Sequence, residues 1–432
     1  MTVRWREKRT GVIGPDERLP WGGTVALGAQ HVLAMFGATV VAPLIMGFDP
    51  NLAILFSGIG TLIFFVAVGG RVPSYLGSSF AFIGPVAAVV GSSAAGTFDA
   101  AAIPEALGGI VVAGAVYALI GGLVHVGGSG WIDALMPPLV TGAVVAIIGL
   151  NLAPAARDLA ANDPAIAIVT VLAIFIVALY TGGLLARLPI LLGTAAGYLA
   201  ALLLGGTSAG GRTQLGVDIR GVDFGPVRDA ARFGVPDFVA PTFSWSAISL
   251  IAPVAIVLVA ENTGHIKAVS AMTDRDLMPY LGRGFVGDGV ATMVAGFGGG
   301  TGVTTYAENI GVMAVTRVYS TLIFVIAALV AIGLGLSPKF GALIGSIPLG
   351  VLGGVTTVLF GLIAATGARI WVDNRVDFTK GANLFVAATV LIVGAADYTL
   401  RFGDFELGGI ALGTFGAIVL YRVFGRAPER GT

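Results

Sequence analysis

Residues 298–316 read Gly298-Gly299-Gly300-Thr301-Gly302-Val303-Thr304-Thr305-Tyr306-Ala307-Glu308-Asn309-Ile310-Gly311-Val312-Met313-Ala314-Val315-Thr316. A glycine-rich, hydroxyl-bearing break opens into a short apolar helix with a glutamate in its first turn. Backbone that leaves the helical form at membrane depth persists only where protein or a cavity supplies its hydrogen bonds. A second break of the same kind, Tyr75-Leu76-Gly77-Ser78-Ser79-Phe80, precedes another half-length apolar helix earlier in the chain. Interruptions in corresponding positions of two halves point to a binding site near the membrane midplane. Each break ends at a helix start, whose free N–H groups can hold a ligand oxygen. The plainer reading is a pair of glycine-rich surface turns. Against it, each half needs its third helix at that place.

The surrounding chain justifies speaking of a membrane. Its 432 residues are 56% hydrophobic and 11% charged, with a mean hydropathy of +0.93, far outside the balance of a water-soluble globule. Apolar stretches recur that meet the roughly 20 residues a helix needs to cross a hydrocarbon core of about 30 Å. The ten-residue alternation of a membrane barrel is not seen. Hydropathy places helices at about 22–46, 51–69, 80–95, 106–127, 136–155, 164–182 and 187–206. After the polar interval they resume at about 244–268, 284–298, 304–317, 318–336, 345–367, 381–396 and 405–424. The expected fold is therefore an all-α polytopic membrane protein of about fourteen transmembrane segments.

The expected organisation is a tail at 1–21, a first seven-segment repeat at 22–206, an extracytoplasmic linker at 207–243, a second repeat at 244–424 and a tail at 425–432. The linker is marked by Arg212, Asp218, Arg220, Asp223, Arg228, Asp229, Arg232 and Asp237. An even helix count puts both termini on one side. The basic first tail, with Arg422, Arg426 and Arg430 at the other end and Arg71, Arg187, Arg317, Arg369, Arg375 and Lys380 in short loops, assigns that side to the cytoplasm. An odd number of segments per half makes the second half inverted, as in secondary transporters. The apolar run after the first tail is too long for a cleaved signal.

Lys plus Arg and Asp plus Glu are equal at 24 each, so net charge indicates neither nucleic acid nor an acidic partner. The chain has no cysteine, hence no thiolate metal site and no cysteine nucleophile. Three histidines without an H-E-x-x-H pattern argue against a zinc hydrolase. No cofactor is expected and no enzyme.

Glu261 lies in Leu258-Val259-Ala260-Glu261-Asn262-Thr263-Gly264-His265, at the far end of an apolar run from Ala247. A carboxylate at that depth is costly unless protonated, paired or facing a cavity, so its first reading is functional. The alternative is a boundary glutamate in contact with solvent. His265, one turn on, shares its face and can hold or relay a proton with it. His31, in Ala29-Gln30-His31-Val32, sits inside the first helix and reads equally as functional or structural. His125, beside Gly127-Gly128, fits a helix end. Glu308 could simply be a first-turn glutamate favoured by the helix dipole, but the glycine-rich break beside it and the lack of nearby charge favour a ligand role. Asp288, in Gly287-Asp288-Gly289, reads as an N-cap. Asp397 and Arg401 fit an outer loop, and Trp131, Trp245 and Trp371 fit interfacial anchors.

Several of these motifs together resemble the bacterial uracil and pyrimidine permeases of the nucleobase/ascorbate transporter family. They are Gln30-His31 with Met35-Phe36-Gly37-Ala38-Thr39, Ser74 to Phe82, Ala260-Glu261-Asn262 with Gly264-His265, and Thr304-Thr305-Tyr306 leading into Glu308-Asn309-Ile310-Gly311 and Thr316. The likeness covers nearly the whole chain. It implies two inverted sevens divided into core and gate domains, short antiparallel strands at the two breaks, and a homodimer. It also implies that Glu261 and Glu308 contact the base, that Phe80 and Ala307 offer backbone N–H groups, and that His265 and Tyr306 support proton coupling. His31, Ser79 and Asn309 stand in the same motifs as supporting residues. Ala307 replaces the glycine common in uracil permeases, a pattern similar to permeases associated with pyrimidine breakdown.

The implied activity is import of uracil or a related pyrimidine by proton symport across the bacterial inner membrane, with sodium an open alternative to the proton. Uracil alternates carbonyl acceptors and N–H donors on its rim, and a carboxyl group can match either. Burial raises a carboxylic pKa by stripping water from the charged form, so a buried glutamate can take up a proton near neutral pH. Of the two, Glu261 reads as the proton-linked partner and Glu308 as the base reader. The alternative within the family is a purine symporter for xanthine or uric acid, although purine-type members place Gln where Glu308 stands. A sulfate-type anion carrier can share the fold, but two carboxylates would repel its substrate.

Overall fold

Prolines and short acceptor side chains set many of the helix starts. Asp49 accepts from Asn51 N at 2.7 Å and Asp163 from Ile166 N at 3.2 Å, each just before a proline in the first helical turn. The computed structural model describes residues 4–91, 98–183, 185–207, 212–214, 217–403 and 405–425. The main helices of the first half are α1 (Trp21–Met46), α2 (Pro50–Ala67), α3 (Ile83–Val90), α4 (Ile103–Gly127), α5 (Pro138–Asn151), α6 (Pro164–Tyr180) and α7 (Pro189–Gly205). Those of the second are α8 (Val254–Thr273), α9 (Leu281–Phe297), α10 (Ala307–Thr316), α11 (Thr321–Gly335), α12 (Leu349–Asp373), α13 (Gly381–Ala395) and α14 (Gly409–Phe424). Strand β1 (Leu76–Ser78) precedes α3, and β2 (Val303–Thr305) precedes α10.

Six helical stretches among the described residues are long and apolar enough to cross a membrane, and the bent pair Thr321–Gly335 with Pro338–Gly345 would make a seventh. Five further apolar helices are shorter. Short spans are admissible where neighbouring protein, rather than lipid, surrounds the helix ends.

Two packing groups are evident. In one, α4 lies along α9, α2 along α11 and α9, and α1 along α11. In the other, α12 lies along α5 and α6, α6 along α7, and α13 along α14 and α5. Backbones meet closely at glycines: a Cβ on Gly289 would stand 2.5 Å from Ala118 N, and one on Gly367 2.4 Å from Ala146 N. Small residues of this kind let membrane helices pack without a hydrophobic driving force. Helix α8 touches the first group through α4 and the second through α5 and α14, so it lines the boundary between them.

The hydropathy reading differs from the structure in several details. The helix expected at 244–268 is two pieces, Trp245–Ile251 and α8, separated around Pro253. The one expected from 284 begins at Leu281, because the 3-10 turn Met278–Tyr280 feeds into it. Asp288 is consequently no N-cap: it lies within α9, buried at 1% exposure. Trp371 is not merely an outward anchor, since its indole N–H donates to Leu139 O at 3.0 Å. His125 ends α4 and is exposed, as expected. Arg426 and Arg430, and part of the 207–243 interval, lie outside the described residues. The N-terminal stretch is folded onto the bundle, with Ile13 only 1% exposed.

Candidate functional site

The two breaks meet. Strands β1 and β2 pair antiparallel, with Leu76 opposite Thr305, Gly77 opposite Thr304 and Ser78 opposite Val303. Inside an apolar bundle these backbone groups have no water, so each strand satisfies the other. Each strand is also pinned by a threonine from a packed helix. Thr61 of α2 accepts from Leu76 N at 2.9 Å, and Thr292 of α9 accepts from Val303 N at 3.2 Å. Gly77 is required by close approach: a Cβ there would lie 2.5 Å from the Tyr306 ring and 2.7 Å from Thr39 Oγ1.

The crossing turns both following helices toward one place. Ser79 is buried; its N–H donates to Gly302 O at 2.9 Å and its Oγ accepts from Ala81 N at 3.3 Å, capping the turn Phe80–Phe82. Tyr306, equally buried, donates its hydroxyl to Ser78 O at 2.8 Å and receives Thr39 Oγ1 at 3.1 Å. At the heads of the two half-helices, the Phe80 and Ala307 N–H groups have no intrachain acceptor among the described residues. They are the orphan donors every helix start leaves. Ala307 is exposed and Glu308 beside it is half-buried.

Glu261 and Glu308 are both half-buried. Their helices α8 and α10 pack together, α8 also touches the Phe80–Phe82 turn, and the two carboxylates act electrostatically on each other. Neither receives a side-chain donor or a cation from the rest of the described chain, while the Glu308 carboxylate turns toward its own N–H. Two acids at membrane depth with no side-chain donor or cation among the described residues are equipped to bind something else.

Beneath Glu261 a directed hydrogen-bond chain fixes its surroundings. Asn262 donates Nδ2 to Tyr117 OH at 2.5 Å and to Asp288 Oδ2. Its Oδ1 accepts from Thr304 Oγ1 at 3.1 Å and from Thr305 Oγ1. Tyr117 passes its own proton to Leu258 O at 3.3 Å. All four capacities of the Asn262 amide are thereby used. Because the single Thr305 hydroxyl proton goes to Asn262, the contact of His265 Nδ1 with Thr305 Oγ1 at 2.7 Å has the histidine as donor. A neutral His265 then keeps Nε2 as an acceptor. On the other side, Asn309 Nδ2 donates to His31 O at 3.1 Å and lies 3.0 Å from His31 Nδ1, holding α10 against α1. The His31 ring is tilted on Phe324 at 4.7 Å.

All nine residues singled out from sequence thus fall on the strand crossing, its two half-helices or the faces of α1 and α8 packed against them. Four others were missed. Asn262 was noticed only as a neighbour of Glu261; Tyr117 and Asp288 complete its network. Phe360 of α12 places its ring edge-on to Phe80, with centroids 5.8 Å apart at 80°, closing the site from the second packing group. An isolated phenylalanine in an apolar helix carries no signal of that role. The neighbouring Gly287 and Gly289 suggested a helix start for Asp288, although their part is close packing.

A model of the Permease family matches residues 22–401. A relative from Escherichia coli (strain K12), assigned as the pyrimidine permease RutG, is 55% identical over 429 residues, covering 98% of this chain and 95% of its own. Uracil permeases from Paenibacillus larvae and Escherichia coli (strain K12) are 41% and 39% identical, each covering 95% of this chain and 96% and 94% of their own. Among solved structures, the transmembrane domain of the cyanobacterial bicarbonate transporter BicA has a TM-score of 0.61 at 16% identity, covering 92% of this chain and 96% of that one. The murine anion transporter Slc26a9, inward-facing, gives 0.64 at 12% identity, covering 93% and 68%. The structural likenesses establish the shared fold alone.

Proposed function

We propose that this chain, which belongs to the permease family whose model matches it over residues 22–401, imports uracil or a closely related pyrimidine base by proton symport. Family membership makes it a multi-pass membrane transporter and not an enzyme. The observation that carries the finer reading is the pair Glu261 and Glu308, half-buried and without a side-chain donor or cation among the described residues, on helices packed together beside the unpaired N–H groups of Phe80 and Ala307. Alternating donors and acceptors on the protein match the alternating rim of a pyrimidine dione. In this reading Glu308, fixed at the head of α10, reads the base. Glu261, one turn from His265, takes and releases the proton. Tyr306 and Asn309 hold the half-helix in register.

Transport then follows from movement of one packing group past the other. The packing favours an inverted repeat: α2 with α11 corresponds to α9 with α4, α6 with α7 to α13 with α14, and the Thr61 clasp on β1 to the Thr292 clasp on β2. Substrate held by the first group, with Phe360 of the second covering Phe80, would be released when that aromatic contact opens. Placement in the inner membrane with cytoplasmic termini, and assembly as a homodimer, belong to the same proposal. Purified protein in liposomes should accumulate labelled uracil when a pH gradient is imposed and lose accumulation on adding a proton ionophore. Accumulation of xanthine or of sulfate in place of uracil would overturn the substrate assignment, and dependence on a sodium gradient alone would overturn the coupling ion.

A further inference from the structure

The N-terminal segment touches the far ends of both glutamate-bearing helices. Helix α10 ends at Arg317, whose backbone is left-handed at φ 55°, and Arg317 O accepts from Ile13 N at 3.0 Å. Tyr319 N donates to Ile13 O at 2.8 Å, and Thr321 N donates to Pro15 O at 3.1 Å. Thr321 Oγ1 also donates to Pro15 O at 3.0 Å while accepting from Trp5 Nε1 at 2.9 Å. Ile13 is buried with Val318 and Ile323, packed by Leu19 and Leu27, in an apolar cluster separate from the main core. Helix α8 ends at Asp274, also left-handed at φ 51°, and the next residue, Arg275, pairs with Asp16. The segment is itself braced: Glu17 accepts from Gly14 N at 2.8 Å and pairs with Lys8 at 3.0 Å, and Arg18 pairs with Glu7 at 3.0 Å.

We propose that the segment Trp5–Arg18 is a positioning element of the binding site, setting the axial placement of α10 and α8 and so of Glu308 and Glu261. A helix of ten residues is a rod of about 15 Å, so a shift at Arg317 reaches Glu308 undiminished. Sub-ångström placement matters because a ligand reads both acids together. Undocked molecules would be poorly competent, and apparent affinity falls by the fraction docked. The inference rests on the nucleobase reading of the site.

The chain has no cysteine, so a single engineered pair is clean. Ile13→Asp should undock the segment, seen as faster tryptic cleavage at Arg6, Lys8 and Arg9, and should weaken uracil binding about tenfold or more. Thr321→Val, nearly isosteric, removes two hydrogen bonds of the segment and should weaken binding a few fold. Adding Ile13→Cys and Val318→Cys to Thr321→Val, oxidised to a disulfide across the bridge pair, should restore affinity, and reduction should remove it again. A purely structural role would lower thermal stability but leave the Kd of the folded fraction unchanged. Unchanged Kd in either undocked variant, judged on monodisperse protein, overturns the proposal. If Ile13→Asp is not recovered folded, Thr321→Val with and without the disulfide decides. Absence of uracil binding in the parent protein would refute the nucleobase reading instead.

Discussion

Replacing Asn262 by Ala tests whether the network beneath Glu261 holds the site together. Four partners lose a bond: Tyr117 OH, Asp288, Thr304 and Thr305. Tyr117 keeps Leu258 O and Thr305 keeps His265. Thr304 Oγ1 and Asp288 are left without a side-chain partner among the described residues, and Asp288 Oδ1 already lacks one. A stranded buried polar group costs about 1–3 kcal/mol, so two give a loss of about 2–6 kcal/mol. Thr304→Val removes one donor while Asn262 Oδ1 still accepts from Thr305, so its loss is about 1 kcal/mol. Thermal unfolding in detergent, followed by size-exclusion fluorescence, should rank the parent above Thr304→Val and that variant well above Asn262→Ala. Uracil binding by calorimetry should fall in the same order, because α8 and β2 lose their tie. An Asn262→Ala protein as stable as Thr304→Val, with parental affinity, would show that these bonds are incidental to the site.

Glu308→Gln should weaken uracil binding about 10- to 150-fold in Kd, since a charge-assisted bond is worth about 1.5–3 kcal/mol; full affinity would remove Glu308 from the site. Glu261→Gln should still exchange uracil across liposomes but lose accumulation driven by a pH gradient; intact accumulation would shift the proton to another group. Gly77→Ala forces a methyl to within 2.5 Å of the Tyr306 ring, and overpacking of that kind should lower stability by about 1–3 kcal/mol in the same thermal assay. Glu17 is held below its ordinary value of 4.5, first by the Gly14 N–H, with burial opposing, and then by Lys8. A depressed carboxylate stabilises docking above its ordinary value and loses that contribution as pH falls through its folded value. Nicking of the N-terminal segment by an acid-active protease should therefore rise only below pH 4.5.

Much of the site was legible because a membrane removes ambiguity. A glutamate or a glycine run amid apolar residues has few inexpensive explanations, so Glu261, Glu308 and the breaks at Tyr75–Phe80 and Gly298–Tyr306 stood out, and the strands lie where the breaks were read. What stayed hidden depends on partners distant in sequence. Asn262 is unremarkable along α8 until Tyr117, Asp288, Thr304 and Thr305 converge on it. Phe360 matters only because α12 crosses beside the Phe80 turn. The N-terminal stretch reads as a solvated tail from its charges, yet Ile13 is buried and the charges pair among themselves and with Arg275. Composition reports how much charge a segment carries, not whether its backbone has somewhere to dock.

The fold by itself does not choose the substrate, because solved structures sharing it include a bicarbonate transporter and an anion transporter. Two half-helices that start at one crossing present the positive ends of their dipoles to the same space. Left alone, that field suits an anion. In the proposed reading the Glu261 and Glu308 carboxyls share that space, their helices packing together beside the Phe80–Phe82 turn. An ionised carboxyl there offsets the helix ends, and an anionic ligand would meet its repulsion at short range in a poorly solvated place. A neutral solute with donors and acceptors on one rim meets no such barrier, and in the proposed symport a protonated acid would supply the donor it requires. On the proposed reading, the selectivity of this chain therefore rests on Glu261 and Glu308 more than on the helices that carry them.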